Sequence, residues 1–366
     1  MRRLPRLALW LFCIAYVLPG FIGRSPWKNE DIAAFGIMQE LVLPGSNWLQ
    51  PQLLGVINSF DALAPYWLGA AALAALPFLD PAVAVRVPFA LLLALTLMAT
   101  WYGTYYLARS PQAQPVAFAF GGEAEPVDYA RAIADASLLA LLACLGLAQL
   151  SHETTPALAQ LGFTALGFYA LAASAYRKGR ALTGPAVALL LGLGGLALSG
   201  APTLALLLGT GGLLVELTHR RWGRSDQAAG EPFDRRPGEP PGWHRALLVG
   251  AVTVAVCLLA STLELWRWRF ELPALATESA GSEWRRLGRL LVWFTWPAWP
   301  LALWTLFRWR RQLASRHLAL PLWFALVAVG AALTAPSSSD RSLLLALPPL
   351  ATLAAFALPT LRRSVA

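Results

Sequence analysis

The sequence predicts an all-α polytopic membrane protein, and three observations carry that prediction. Hydrophobic residues make up 57% of the 366 and charged residues only 13%, about half the charged share of an ordinary soluble domain. Mean hydropathy is +0.54. Apolar runs of roughly 18 residues recur along the chain, the length a helix needs to cross a hydrocarbon core. Arginine, finally, gathers in short polar stretches between those runs. That distribution sets membrane topology and meets anionic headgroups, so the net charge of +9 is no nucleic-acid signal. Lipid offers the backbone no partners, and self-satisfied helices are what remains.

About eleven apolar segments follow in order. The first, Leu7–Phe21, resembles a secretion signal but lacks a small-x-small cleavage site, so it reads as a retained signal-anchor helix. Pro65–Phe78 and Val87–Leu107 come next, then Ala132–Leu150, Pro156–Tyr176, Pro185–Leu198 and Thr203–Leu217. Ala246–Leu263, Leu290–Phe307, Leu318–Leu333 and Leu343–Leu361 complete the set. Together they form one membrane-embedded domain, residues 1–366, with no solenoid repeat. Cys13, Cys144 and Cys257 all fall inside apolar runs, with neither disulfide nor metal spacing, and read as small buried residues. The glycines of LLLGLGGLALSGAP and LLLGTGG lack the Lys-Ser/Thr of a phosphate loop and suit close helix packing.

Four polar stretches separate these runs. Residues 23–64 form a first outer loop, with an interfacial helix expected over Ile32–Val42. Residues 110–131 and 219–244 are polar loops, and 264–289 is a Trp/Arg-rich outer loop. The RKGR, HRRWGR and RWRR clusters and Arg362–Arg363 belong in the cytoplasm by the positive-inside rule. That places SHETT, SGAP and SSSDR outside, while Arg2, Arg3 and Arg6 keep the N-terminus inside. Eleven crossings would separate the termini, which this assignment forbids. Pro65–Phe78, short and flanked by prolines, is the segment expected to be re-entrant or half-spanning.

Charged groups at span edges are costly, so each is a candidate for function. Glu30 and Asp31 open the helix expected on the outer loop. They fit a general base or cation ligand and equally an N-terminal helix cap with Asn29. His152 and Glu153 lie between two spans, suited to proton transfer, a metal, or a polar turn ahead of Pro156. Asp61 precedes the second run as a cap or a ligand. Arg341, beside Asp340, opens the last span as a phosphate contact or a boundary residue. Asp135 reads as a boundary residue.

Several of these pieces line up in order with a known family. GRSPWKNEDIAAFGIMQELVLPGSNWLQPQLLGVINSFDALAPYWLGA resembles the opening of family 39-like GT-C membrane glycosyltransferases, the relatives of aminoarabinose transferases and protein mannosyltransferases. Glu30 and Asp31 take the family's acidic pair. Trp48, Pro51 and Gly55 fit its Gly-x-Trp-x-x-Pro-x-x-x-Gly element, and Tyr66-Trp67-Leu68 its Tyr-Trp-Leu. FTWPAWPLALWTLFRWR and SSSDRSLLLALPPLATLAA resemble its Trp-Pro span and its closing span. The departures are specific. Asp61-Ala62-Leu63-Ala64 stands for acidic-Lys-Pro-Pro, Thr154-Thr155-Pro156 for Thr-Thr-Asp, Ser199-Gly200-Ala201-Pro202 for Thr-Lys-Gly-Pro, and Arg341-Ser342 for Arg-Tyr. Two lysines and an acid are thereby lost.

The resemblance implies a GT-C fold and transfer of a sugar from a polyprenyl-phosphate donor to a lipid, glycan or protein. The setting would be the periplasmic face of a bacterial inner membrane. Asp31 or Glu30 would be the base, with Lys28, Arg24 and Arg341 near the phosphate. Asp61, Tyr66, His152 and Glu153 would be further substrate contacts. It implies no cofactor beyond the lipid-linked donor, and leaves a divalent metal open. The lost residues support a second reading, a scaffold of this kind that binds lipid or a partner without chemistry.

Overall fold

The computed structural model describes residues 5–57, 62–114, 125–177, 179–228, 243–268, 280–334 and 339–361. Helix α1 (Arg6–Phe21) is followed by α2 (Asn29–Leu41) in the first loop. A short hairpin follows, β1 (Gln52–Leu53) against β2 (Val56–Ile57). Its turn residues Leu54 and Gly55 both have positive φ, 54° and 75°, as a two-residue hairpin turn requires. Then come α3 (Ala64–Ala75), α4 (Pro81–Ala84), α5 (Arg86–Ala108), α6 (Pro126–Leu142), α7 (Leu145–Leu150) and α8 (Pro156–Ser174). The second half holds α9 (Thr183–Leu198), α10 (Pro202–Ala228), α11 (Trp243–Thr262), α12 (Ala280–Phe294) and α13 (Ala298–Arg308). It closes with α14 (Arg316–Thr334), α15 (Ser339–Leu344) and α16 (Leu347–Ala355).

Local chemistry explains where helices begin. Pro81, Pro126, Pro156 and Pro202 each take the first helical position, where a missing N–H costs nothing and φ is already set. Asp80 caps α4 through Ala82 N at 2.9 Å. Prolines 297 and 300 break the Trp-rich run, and its two halves meet at 96°.

Helix α8 lies inside the bundle, with most of its residues buried. It packs against α5 on one side and α9 on the other. Glycine lets these backbones close up: a Cβ at Gly192 would fall on the Gly167 backbone, the small-residue packing expected where lipid supplies no hydrophobic drive. Hydroxyls knit the interior. Thr104 bonds Ser137 at 3.0 Å and Thr352 at 2.8 Å, joining α5, α6 and α16.

By length and composition, five helices among the described residues are apolar and long enough to cross a membrane, or six with the bent pair. Eleven crossings are not reproduced by that count. The contacts show how Pro65–Phe78 departs from the rest. Leu63 N–H bonds the Leu198 carbonyl at 2.8 Å, and Gln160 near the start of α8 bonds the adjacent Ser199 carbonyl at 2.6 Å. Arg86 then reaches the Phe21 carbonyl at 3.4 Å, at the end of α1. The chain therefore leaves and regains the same end of the bundle within this stretch, so Pro65–Phe78 does not cross.

Two polar stretches are more helical than loops. α10 continues through Ala228 into residues 219–244, and α6 begins inside 110–131.

Candidate functional site

At the end of the bundle where α1 finishes and α8 starts, the first loop folds back onto the 151–155 turn. Helix α2 has acidic residues in its first turn, but neither caps it: the cap position is Lys28, whose side chain does not cap the helix. Asp31 instead turns inward, 3% exposed. Its Oδ1 accepts both the Thr154 backbone N–H at 2.8 Å and the Thr154 hydroxyl at 2.5 Å. Two donors from one residue fix the carboxylate's position, and such charge-assisted bonds are strong.

Glu153, one residue earlier, is 2% exposed and forms ion pairs in two directions. Lys28 Nζ bonds its Oε1, and Arg341 approaches its Oε2 at 3.6 Å. Arg341 also pairs with Glu30 Oε1 at 2.7 Å. The result is a chain of alternating charge, Lys28–Glu153–Arg341–Glu30, tying together α2, the turn before α8, and α15. Lys28, Arg341 and Glu30 keep 26%, 18% and 29% exposure, so the chain lines an open surface while Glu153 anchors it from beneath.

His152 and Arg24 hold the neighbouring wall. The imidazole Nε2 lies 3.0 Å from the Tyr16 carbonyl, with its ring between Tyr16 and Phe21. Burial pushes its pKa below the ordinary value and the Arg24 charge adds to this, against the Tyr16 carbonyl contact. Neutral histidine is the result, a wall rather than a charge. Gly20 makes room for it, because a Cβ there would overlap the imidazole. Arg24 and Lys28 both sit over the Trp27 ring at 4.8 Å, within cation–π range. Gly23, Arg24, Ser25 and Trp27 line a shallow groove beside them.

The structure thus gathers Asp31, Glu30, Lys28, Arg24, His152, Glu153 and Arg341 at one end. Tyr66 is 1% exposed, buried at the start of α3. Asp61 lies outside the described residues. No group of three or more His, Cys, Asp or Glu able to hold a metal occurs among the described residues.

Two contributors escaped sequence reasoning. Thr154 looked like part of a polar turn, yet both its donors serve Asp31. Arg86, 5% exposed, donates to the Phe21 and Arg24 carbonyls and so clamps the end of α1 and the start of the first loop. The Asp31 charge also acts on it. A lone arginine opening a 23-residue apolar helix was the available signal.

No protein-family model matches the chain, and no curated protein matches it. Among solved structures it is similar to ArnT from Cupriavidus metallidurans bound to undecaprenyl phosphate, with a TM-score of 0.64 and 15% identity. The same protein in the apo state gives a TM-score of 0.60 at 15% identity. Each likeness covers 97% of this chain and 60% of the other, so the chain spans about three fifths of that protein's length. At this identity the likeness establishes architecture: the chain has an ArnT-like, GT-C-like polytopic helical fold.

Proposed function

We propose that the chain is a membrane glycosyltransferase that moves a sugar from a polyprenyl-phosphate donor to a hydroxyl or amine acceptor, at the end of the bundle where α2 meets the 151–155 turn. One observation carries the reading: a buried, doubly bonded carboxylate, Asp31, stands beside a partly exposed row of cations, Lys28, Arg24 and Arg341. That is the charge pattern the reaction needs. The acceptor's heteroatom attacks the anomeric carbon as the bond from that carbon to the phosphate oxygen breaks. The acceptor proton passes to a carboxylate, and polyprenyl phosphate leaves with its charge stabilised by the cations.

Asp31 suits the base because its orientation is fixed before substrate arrives, and general-base efficiency depends on such positioning. Lys28 and Arg341 suit the phosphate because each keeps solvent-facing surface while Glu153 holds it from behind. Glu153 also stands where the family resemblance lacks its second acid. The solved structure of similar fold carries undecaprenyl phosphate, which supports a lipid phosphate as the ligand.

Binding of labelled polyprenyl phosphate to the purified chain tests the cationic half of this proposal. Arg341→Gln and Lys28→Gln should each weaken it by about tenfold, the scale of one lost charge-assisted bond. Affinity unchanged in both variants would place the lipid elsewhere. Full binding with no turnover of any donor would favour the second reading, a scaffold that holds lipid without chemistry.

A further inference from the structure

A second polar cluster occupies the opposite end of the bundle and takes no part in the proposed reaction. Helix α5 starts at Arg86, beside the candidate site, and runs 23 residues, about 35 Å at the α-helical rise. Helix α8 leaves Thr155 in the same direction, packed along α5. Their far ends bring together Tyr105, Tyr106, Arg109, Tyr176 and Arg177. The Tyr106 and Tyr176 rings stack at 5.9 Å. Arg109 lies 5.7 Å over Tyr105 and 5.8 Å over Tyr176. Arg177 donates to the Tyr106 hydroxyl at 2.7 Å.

Beneath this shelf lies a triad built on two buried groups, Glu216 and Arg316, with half-buried Arg245. Glu216, 3% exposed, pairs with Arg316 at 2.6 Å and Arg245 at 3.7 Å. Arg245 also donates to the carbonyl of Ala175, next to Tyr176, at 3.0 Å. Arg316 donates to Ser174 Oγ at 3.2 Å and to the Leu171 carbonyl. Glu216 thus pairs with two guanidinium groups of this cluster. Arg109 and Arg177 are exposed beside the tyrosines.

The outer surface of α5 says what kind of anion would come here. Leu91, Met98 and Tyr102 are 66%, 48% and 44% exposed, and with exposed Arg109 they are spaced at 7, 4 and 7 residues. That spacing puts all four on one stripe of the helix. An apolar strip about two turns or more in length thus ends at a guanidinium braced by tyrosines. A free phosphate has no use for such a strip; an acyl chain does.

We propose that this end of the bundle binds the phosphate of an anionic phospholipid through Arg109 and Arg177, with an acyl chain along Leu91, Met98 and Tyr102. Basic pockets between helices at a membrane face hold lipid headgroups in this way, and tyrosine favours the same depth. The site lies in the leaflet opposite the proposed reaction. The arginine distribution assigns that end to the cytoplasm.

Native mass spectrometry of the full chain, released from mixed micelles of phosphatidylglycerol and phosphatidylcholine, tests this directly. Wild type should retain phosphatidylglycerol preferentially, and Arg109→Gln/Arg177→Gln should reduce that preference by about thirtyfold, the loss of two basic contacts. Arg109→Lys/Arg177→Lys should keep most of it, which separates lost charge from misfolding. Equal retention by wild type and the glutamine double variant would overturn the proposal. So would loss of retention in excess inorganic phosphate, which marks a free-anion site, or loss caused by Arg341→Gln, which marks the other end.

Discussion

Asp31 is where the account is most exposed to test at the scale of single residues. A carboxylate that is 3% exposed costs free energy to bury unless its bonds are made, and here Thr154 makes two of them. Thr154→Val removes the hydroxyl and keeps the backbone donor. Turnover should drop about tenfold, since one bond to a charged acceptor is worth about 1.5–3 kcal/mol, and Thr154→Ser should restore it. Initial rates of the three proteins decide the matter. His152 gives a pH prediction. Burial holds its folded-state pKa below the ordinary 6.5 of a histidine, so the unfolded chain binds protons more readily than the folded one. Stability from this group is complete above about pH 6.5 and declines as pH falls through the lowered folded value. Thermal melts of wild type between pH 7.5 and 5 should show this decline, and His152→Gln should flatten it. Parallel curves would remove His152 from the wall described above.

Among elements, the decisive contact joins α2 to the turn before α8 and to α15. Glu153 anchors it, and Glu153→Gln leaves Lys28 and Arg341 without their shared carboxylate. A loss of about 1–2 kcal/mol is expected, below the range for fully buried pairs because both cations reach solvent. Added polyprenyl phosphate should raise the melting temperature of this variant more than that of wild type, since the phosphate supplies the missing charge. The end of α1 offers a steric counterpart. Gly20→Ala would drive a methyl into the His152 ring, costing about 1–3 kcal/mol as overpacking does, and a thermal melt reads that loss. Much of this arrangement was legible in the sequence. The acidic pair, Lys28, the His-Glu dipeptide and Arg341 stood at span edges, where charge is expensive. What sequence spacing could not supply was the partnering. Glu153 and Lys28 are 125 positions apart, and Thr154 gave no sign that its donors turn to Asp31 rather than capping α8. Tyr66 matched a motif and is buried at the start of α3, and a tyrosine in an apolar run looks alike whether it lines a site or fills one.

For the whole molecule, periodicity and composition were enough to reveal a helical membrane fold, and the ordered motifs were enough to suggest the GT-C architecture that the solved structures support. The number of crossings was less readable. Hydropathy cannot tell a short apolar helix that returns from one that spans, and only the Leu63 and Arg86 contacts at the same end separate the two. Polarity is divided between the ends: an alternating chain of acids and bases at one, an arginine–tyrosine shelf with buried Glu216 at the other. That asymmetry suits a chemical face and a lipid-holding face. The central claim is that Asp31 works as the base of sugar transfer from a polyprenyl phosphate, and turnover measures it most directly. Purified wild type should release polyprenyl phosphate from at least one member of a panel of polyprenyl-phosphate sugars. Asp31→Asn should do so at least about a hundredfold more slowly, the lower end of what a general base contributes, while binding the donor as before. Equal rates for wild type and Asp31→Asn on any donor that turns over would contradict the account.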